Sequence, residues 1–218
     1  MRSNGGTHPA ARGAVTPRVI PGGFRPDVAR AKERPSLRGA TLFFTGLSGS
    51  GKSTLARLTA ERFTSDTGRP VSVLDGDVVR RHLTADLGFS PEDRHTNILR
   101  VGFVAAEVTR HGGLAICALI APFERSRQEV RRMVEAVGPF VLVHLSTPLV
   151  VCEARDPKGL YVLARAGQIE RFTGISDVYE PPLEPSLDID TSAVTPVAAV
   201  DQILDLLRTG GLLHAAER

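Results

Sequence analysis

Gly46-Leu47-Ser48-Gly49-Ser50-Gly51-Lys52-Ser53-Thr54 fits the spacing G-x-x-x-x-G-K-[ST]. Its flanks supply the context that pattern needs. Ahead of it, Ala40-Thr41-Leu42-Phe43-Phe44-Thr45 is a short apolar and β-branched run suited to a buried strand; behind it, Leu55, Leu58, Arg62 and Phe63 continue at helical spacing. Strand, glycine-rich turn and helix in that order make a phosphate-binding loop. Glycines at 46, 49 and 51 free the backbone to turn its N–H groups inward around successive phosphates. Lys52 brings a mobile positive charge to the outer phosphates and Ser53 a hydroxyl for Mg²⁺. The helix that starts here aims its positive dipole end at the anion. The expected ligand is a nucleoside triphosphate with magnesium, bound by residues 46–54.

The rest of the chain repeats that grammar. Val71-Ser72-Val73-Leu74-Asp75 is a second strand after the Gly68-Arg69-Pro70 turn, and a helix follows from about Asp77. Ser90-Pro91-Glu92-Asp93 has the form of an N-cap with proline in the first turn and an acid at the capping-box position. It predicts a long helix to about His111, stopped at Gly112-Gly113. Leu114–Ile120 is a third strand, 124–136 a helix, Phe140–Leu145 a fourth strand and 148–154 a helix. Residues 155–185 lack periodicity and are long for a connection, as a lid or substrate clamp is. A weak strand at Leu187-Asp188-Ile189 and a helix over 196–207 close the chain. The alternation predicts an α/β fold of the P-loop NTPase kind: a parallel sheet of about five strands, helices on both faces, a lid segment, and ligands at the carboxyl ends of the strands.

At 218 residues, 42% hydrophobic and 5% aromatic, the chain is expected to build one sizeable core. No apolar stretch approaches the roughly 18–20 residues of a membrane span, and no secretory leader is evident, so a cytoplasmic protein is expected. Cys117 and Cys152 fall in apolar strand-like and helical runs and read as buried thiols, and metal-ligand spacings are absent. Residues 1–39 hold seven arginines and Lys32 against Asp27 and Glu33, an excess of six; under the overall +3 the remainder is acidic by three. The basic character therefore belongs to a proline- and glycine-rich segment, 1–36, read as an arm or linker ahead of a domain over 37–212. With a net acidic folded part, nucleic acid is not an expected partner.

The acceptor is written elsewhere. Asp75-Gly76-Asp77 ends the second strand where the phosphates should lie; its carboxylates suit magnesium on one side and an acceptor hydroxyl on the other, although an ordinary Asp-Gly turn reads the same way. Arg94 and Asn97 are three apart on the long helix, close to Arg80 and the isolated Phe89, so cations and an amide suited to an anion stand beside a ring able to stack on a base. Arg155, Lys158 and Phe172 repeat that chemistry in the lid. An Asn-Lys-x-Asp guanine-reading motif is absent, since only Asn4 and Asn97 occur, which argues against a GTP switch.

In this order GLSGSGKST, DGD, LGFSPEDR with Asn97, CEARDPKGLY and FTGI closely resemble the adenylylsulfate kinases, over about residues 37–192. The resemblance implies transfer of the ATP γ-phosphate to the 3′-hydroxyl of adenosine 5′-phosphosulfate, with Mg²⁺. It gives Asp77 the acceptor hydroxyl, with Lys52 as its catalytic partner, and Asp75 with Ser53 the magnesium environment. Arg80, Arg94 and Asn97 would hold the phosphosulfate, with Ile120 beside them. Phe89 and Phe172 would sandwich the substrate adenine, and Arg155 and Lys158 would lie over the nucleotides. It also implies a homodimer and a possible ATP sulfurylase partner. Three positions depart from the family's pattern. Ala121-Pro122-Phe123-Glu124 replaces a Ser-Pro-Tyr-Arg-like segment, so the serine cast as a phosphorylated intermediate is missing. Val162-Leu163 stand where lysines are usual, and His82 where glycine is common. The rival readings are another small-molecule kinase on the same fold and a kinase-like module that regulates a sulfurylase.

Overall fold

The computed structural model describes residues 38–213; the expected arm at 1–36 lies outside the described residues. Strand β1 (Ala40–Gly46) is buried along its whole length. It lies at the centre of a five-stranded sheet with β2 (Val71–Asp75), β3 (Leu114–Ala118), β4 (Phe140–Leu145) and β5 (Leu187–Ile189) in the order β2-β3-β1-β4-β5. Every pairing is parallel, with Phe43 opposite Cys117 on one side and Leu142 on the other. A strand covered on both faces has no solvent side to present, so Leu42, Phe43 and Phe44 run without polar alternation, and the flanking Thr41 and Thr45 are buried with their hydroxyls hydrogen-bonded.

Alternation along β1 divides the core into two layers. Leu42 and Phe44 pack with Leu55 and Phe63 of helix α1 (Lys52–Thr67) and with Ile203 and Leu207 of α7 (Pro196–Thr209). Phe43 points the other way, into a layer with Ile98, Val101 and Ala105 of α3 (Pro91–Arg110) and Val130 and Val134 of α4 (Glu124–Glu135). The two helices of that second layer meet at Gly102, where an added Cβ would lie 2.5 Å from Val130 Cγ2. Only glycine admits so close an approach.

The long helix is capped as its sequence predicts: Ser90 Oγ accepts from the Asp93 N–H, and Pro91 occupies the first turn. The lid differs from its sequence reading. After the expected helix α5 (Leu149–Arg155), the segment contains a short helix, α6 (Leu160–Arg165). Six residues are under two turns, too few for a 3.6-residue period to register. That helix starts from Gly159 in the left-handed region, and its first amides are held by Asp156 Oδ2, which accepts from Tyr161 and Val162. Tyr161 and Phe172 meet edge to face at 4.9 Å in a small third apolar cluster with Cys152 and Leu47, which fastens the lid to the phosphate loop. Both cysteines are buried and free.

Candidate active site

The carboxyl ends of β1, β2 and β3 open into one cavity of about 1230 Å³, whose wall continues over the lid and the start of α7. The phosphate loop forms its floor. Gly49 has φ +74°, and a Cβ there would sit 2.8 Å from the Cys152 carbonyl oxygen, so both conformation and space demand glycine. Ser48, Gly49, Gly51, Lys52, Ser53 and Thr54 line the cavity. Gly46, Leu47 and Ser50 do not. Gly46 lies beneath the loop as the last residue of β1, Leu47 joins the third apolar cluster, and the Ser50 side chain is fully buried. Lys52 is folded back onto its own loop, donating to the carbonyls of Gly46 (2.9 Å) and Leu47 (2.6 Å). Burial drives its pKa down to about 8, a shift that the charges of Asp75 and Asp77 oppose.

Asp75 both caps a helix and faces the phosphate loop. Its Oδ1 accepts from the Asp77 N–H at 3.0 Å, capping α2 (Gly76–His82), while Oδ2 accepts from Ser53 Oγ at 2.5 Å. A hydroxyl and a carboxylate oxygen thus meet beside the phosphate loop, a donor set that fits a hard divalent cation such as Mg²⁺. Asp77, at the opening of α2, pairs with the lid ammonium of Lys158, and both side chains are more than half exposed. The pair spans the mouth of the cavity, which both residues line.

Arg80, Phe89, Arg94, Asn97, Ile120 and Phe172 all line the same cavity. Phe89 is 58% exposed with the Arg80 guanidinium 4.3 Å from its ring centre, so its open face is available for stacking. Phe172 is held by Tyr161 and is the less free of the two rings. Arg94 and Asn97 are more committed to the protein than free anion binders would be. Arg94 donates to the carbonyl oxygens of Phe89 and Arg171 and to Thr173 Oγ1 and pairs with Asp177, while Asn97 Oδ1 accepts from Thr84. Burial draws the pKa of both Arg80 and Arg94 down, the larger part being desolvation.

At the opposite end Arg155 bridges the phosphate loop and the segment after β5, donating to the Gly49 carbonyl (3.2 Å), Thr191 Oγ1 (2.7 Å) and the Thr191 carbonyl (2.9 Å). Thr191 in turn donates to the Ser50 carbonyl. With Val194, Pro196 and Ala199 it adds an apolar slot to the cavity that the sequence reading did not include. The rule that ligands lie at strand carboxyl ends, applied to the short β5, points to these residues.

Of the departures from the resembled pattern, Ala121 is buried in the cavity wall with φ +45°, His82 is exposed, and Val162 is 69% exposed. Among the described residues no helix is long and apolar enough to cross a membrane.

The family model for adenylylsulphate kinase matches residues 38–190. An adenylyl-sulfate kinase from Synechococcus sp. is 49% identical over 176 residues, which are 81% of this chain and 98% of that protein. A sulfate adenylyltransferase from Chaetomium globosum is 47% identical over 178 residues, 82% of this chain but 31% of that longer protein. Among solved structures, the Mycobacterium tuberculosis APS kinase CysC in complex with AMPPNP and APS superimposes with a TM-score of 0.75 at 42% identity, covering 78% of this chain and 98% of its own. A match that runs from just ahead of β1 through the lid to β5 takes in the phosphate loop together with Asp77, Arg80 and Phe89, and the chain belongs to the adenylylsulphate kinase family.

Proposed function

We infer that this chain transfers the γ-phosphoryl group of ATP to the 3′-hydroxyl of adenosine 5′-phosphosulfate, giving 3′-phosphoadenosine 5′-phosphosulfate and ADP. One observation carries the reading: a single cavity has the phosphate loop as its floor, the Arg155–Thr191 slot at one end and the Asp77, Arg80, Phe89 set at the other. It can seat a donor and an acceptor nucleotide toward each other. The donor's phosphates lie on the loop amides and Lys52, with its base toward Thr191 and Pro196. The acceptor's base stacks at Phe89 and Phe172 and its phosphosulfate faces Arg80, Arg94 and Asn97.

The reaction forms a bond from the acceptor O3′ to the γ-phosphorus and breaks the bond from that phosphorus to the β,γ-bridging oxygen, which leaves with ADP. Asp77, freed from Lys158, orients the hydroxyl and takes its proton late, since a loose transition state asks for position and charge neutralisation more than for a strong base. Ser53 and Asp75 would hold Mg²⁺, which supplies charge neutralisation on the phosphates when bound. Lys52 and the loop amides stabilise the charge that moves onto the leaving oxygens. With alanine at 121 there is no hydroxyl at that point of the wall to carry the phosphoryl group, so transfer is direct and in line.

Around this activity we place a domain over 37–212 with an arm at 1–36, acting in the cytoplasm as a homodimer. A sulfurylase that makes the acceptor is a fitting partner, because the likeness to a third of a longer sulfate adenylyltransferase is one in which the two modules share a chain. The test is ADP release from Mg-ATP with adenosine 5′-phosphosulfate, against AMP or gluconate in its place. Turnover confined to the phosphosulfate supports the reading, and turnover confined to either substitute overturns it.

A further inference from the structure

Arg127 lies on α4 with no exposed side-chain surface, and it is not part of the cavity wall. Its guanidinium ties its own helix to two other segments. Nε and Nη2 donate to Glu124 Oε2 (3.0 and 2.5 Å), Nη1 to the Ala121 carbonyl (2.6 Å), and Nη2 also to the Glu180 carbonyl at the end of the lid (2.6 Å). Burying a cation is costly unless its donors are matched, so this site is built around the charge.

The wall beside it is held carbonyl by carbonyl. Ile120 O accepts from Thr45 Oγ1 (2.6 Å), Ala121 O from Arg127, and Pro122 O from the Glu180 N–H (2.8 Å). The lid end is fastened in return: Tyr179 OH bonds Thr45 Oγ1 (3.0 Å), and Glu180 Oε2 accepts from the Glu124 N–H (2.7 Å). Ala121 sits at φ +45°, a conformation that an L-residue keeps only where its surroundings impose it. Ile120, Ala121 and Pro122 line the cavity on the side of Asp77 and Arg80.

We propose that Arg127 is a positioning residue for the acceptor: touching neither substrate, it holds the left-handed turn at Ala121 and the lid end at Glu180 together, and so sets the wall against which the acceptor nucleotide is placed. The inference rests on the two-nucleotide reading of the cavity. It predicts a selective defect, because the phosphate loop and the Arg155–Thr191 slot make no hydrogen bond to Arg127. Arg127→Lys keeps the charge but cannot hold Glu124, Ala121 and Glu180 at once.

The experiment measures the affinities of adenosine 5′-phosphosulfate and ADP by calorimetry, with steady-state KM values for phosphosulfate and ATP, in the full chain. In Arg127→Lys the acceptor's Kd and KM rise roughly tenfold, the scale of a small misplacement, while those of ADP and ATP stay within about twofold. Glu180→Ala, a change at an exposed residue, shifts the acceptor the same way by a smaller factor. Ala121→Gly, which accepts φ +45° without strain, reduces the penalty when added to Arg127→Lys. A parallel loss for both nucleotides, or no loss for the acceptor, overturns the proposal, and if Arg127→Lys fails to fold the same criterion is applied to Glu180→Ala. Wild-type protein that binds ADP but no phosphosulfate defeats the functional reading itself, a result distinct from a wild type that binds both and variants that show no selectivity.

Discussion

Raising the pH from 7 to 9 should weaken ATP binding by discharging Lys52. Its ammonium is buried against the loop carbonyls and has a pKa of about 8, lowered from an ordinary 10.5 chiefly by desolvation. The protonated fraction then falls from about ten in eleven at pH 7 to about one in eleven at pH 9. The phosphates select the charged form, so affinity falls roughly tenfold, ~1.4 kcal/mol, and binding at pH 9 takes up close to one proton, against about a tenth of one at pH 7. Stability of the ligand-free protein moves oppositely. Between about 8 and 10.5 the unfolded chain holds a proton that the folded one has lost, so this lysine makes stability rise with pH through that window. Neighbouring groups do not imitate the effect, because burial pushes the Cys152 thiol up, Cys117 up to about 12, and the Tyr179 hydroxyl up to about 12. Titration calorimetry with Mg-ATP in buffers of different ionisation enthalpy reads affinity and proton uptake together, with Lys52→Met as the control that should lose the dependence. Equal affinities at pH 7 and 9 with no proton uptake at pH 9 would refute the reasoning.

Asp77→Asn should leave ATP affinity intact and lower turnover by about 10² or more, the scale of a lost acid–base group; undiminished turnover in pre-steady-state and steady-state assays would remove Asp77 from its role. Ala121→Ser restores a hydroxyl to the wall, yet turnover should stay within about twofold and mass spectrometry should find no phosphoserine after incubation with ATP alone, whereas an Ala121→Ser protein that becomes phosphorylated and passes its group to the acceptor would contradict direct transfer.

What was legible in the sequence is what local chemistry writes. The phosphate loop, the apolar β1 and the Ser90-Pro91 cap each carry their signal within a few residues, and the structure places them as read. Asp77, Arg80, Phe89 and Asn97 were legible as chemistry and as resemblance, because they cluster near one strand end. Helix α6 was not, since a helix this short leaves no period and its start depends on Gly159. The commitments of Arg94 could not be read either: its partners Arg171, Thr173 and Asp177 lie about eighty residues away and meet it only once the lid is folded. Arg127 was hidden for a different reason. An arginine on a strongly amphipathic, charge-rich helix reads as solvent-facing, and only the tertiary contacts with Ala121 and Glu180 reveal it as buried.

The central claim is that this cavity transfers the γ-phosphoryl group of ATP to the 3′-hydroxyl of a phosphosulfate-bearing nucleotide. A direct competition tests it: Mg-ATP with adenosine 5′-phosphosulfate and AMP at equal concentration in one vessel, the products followed by ³¹P NMR. The account predicts a new 3′-phosphomonoester on the phosphosulfate, formed in step with ADP while AMP is untouched. ADP formed together with phosphorylated AMP, and no 3′-ester on the phosphosulfate, would contradict it.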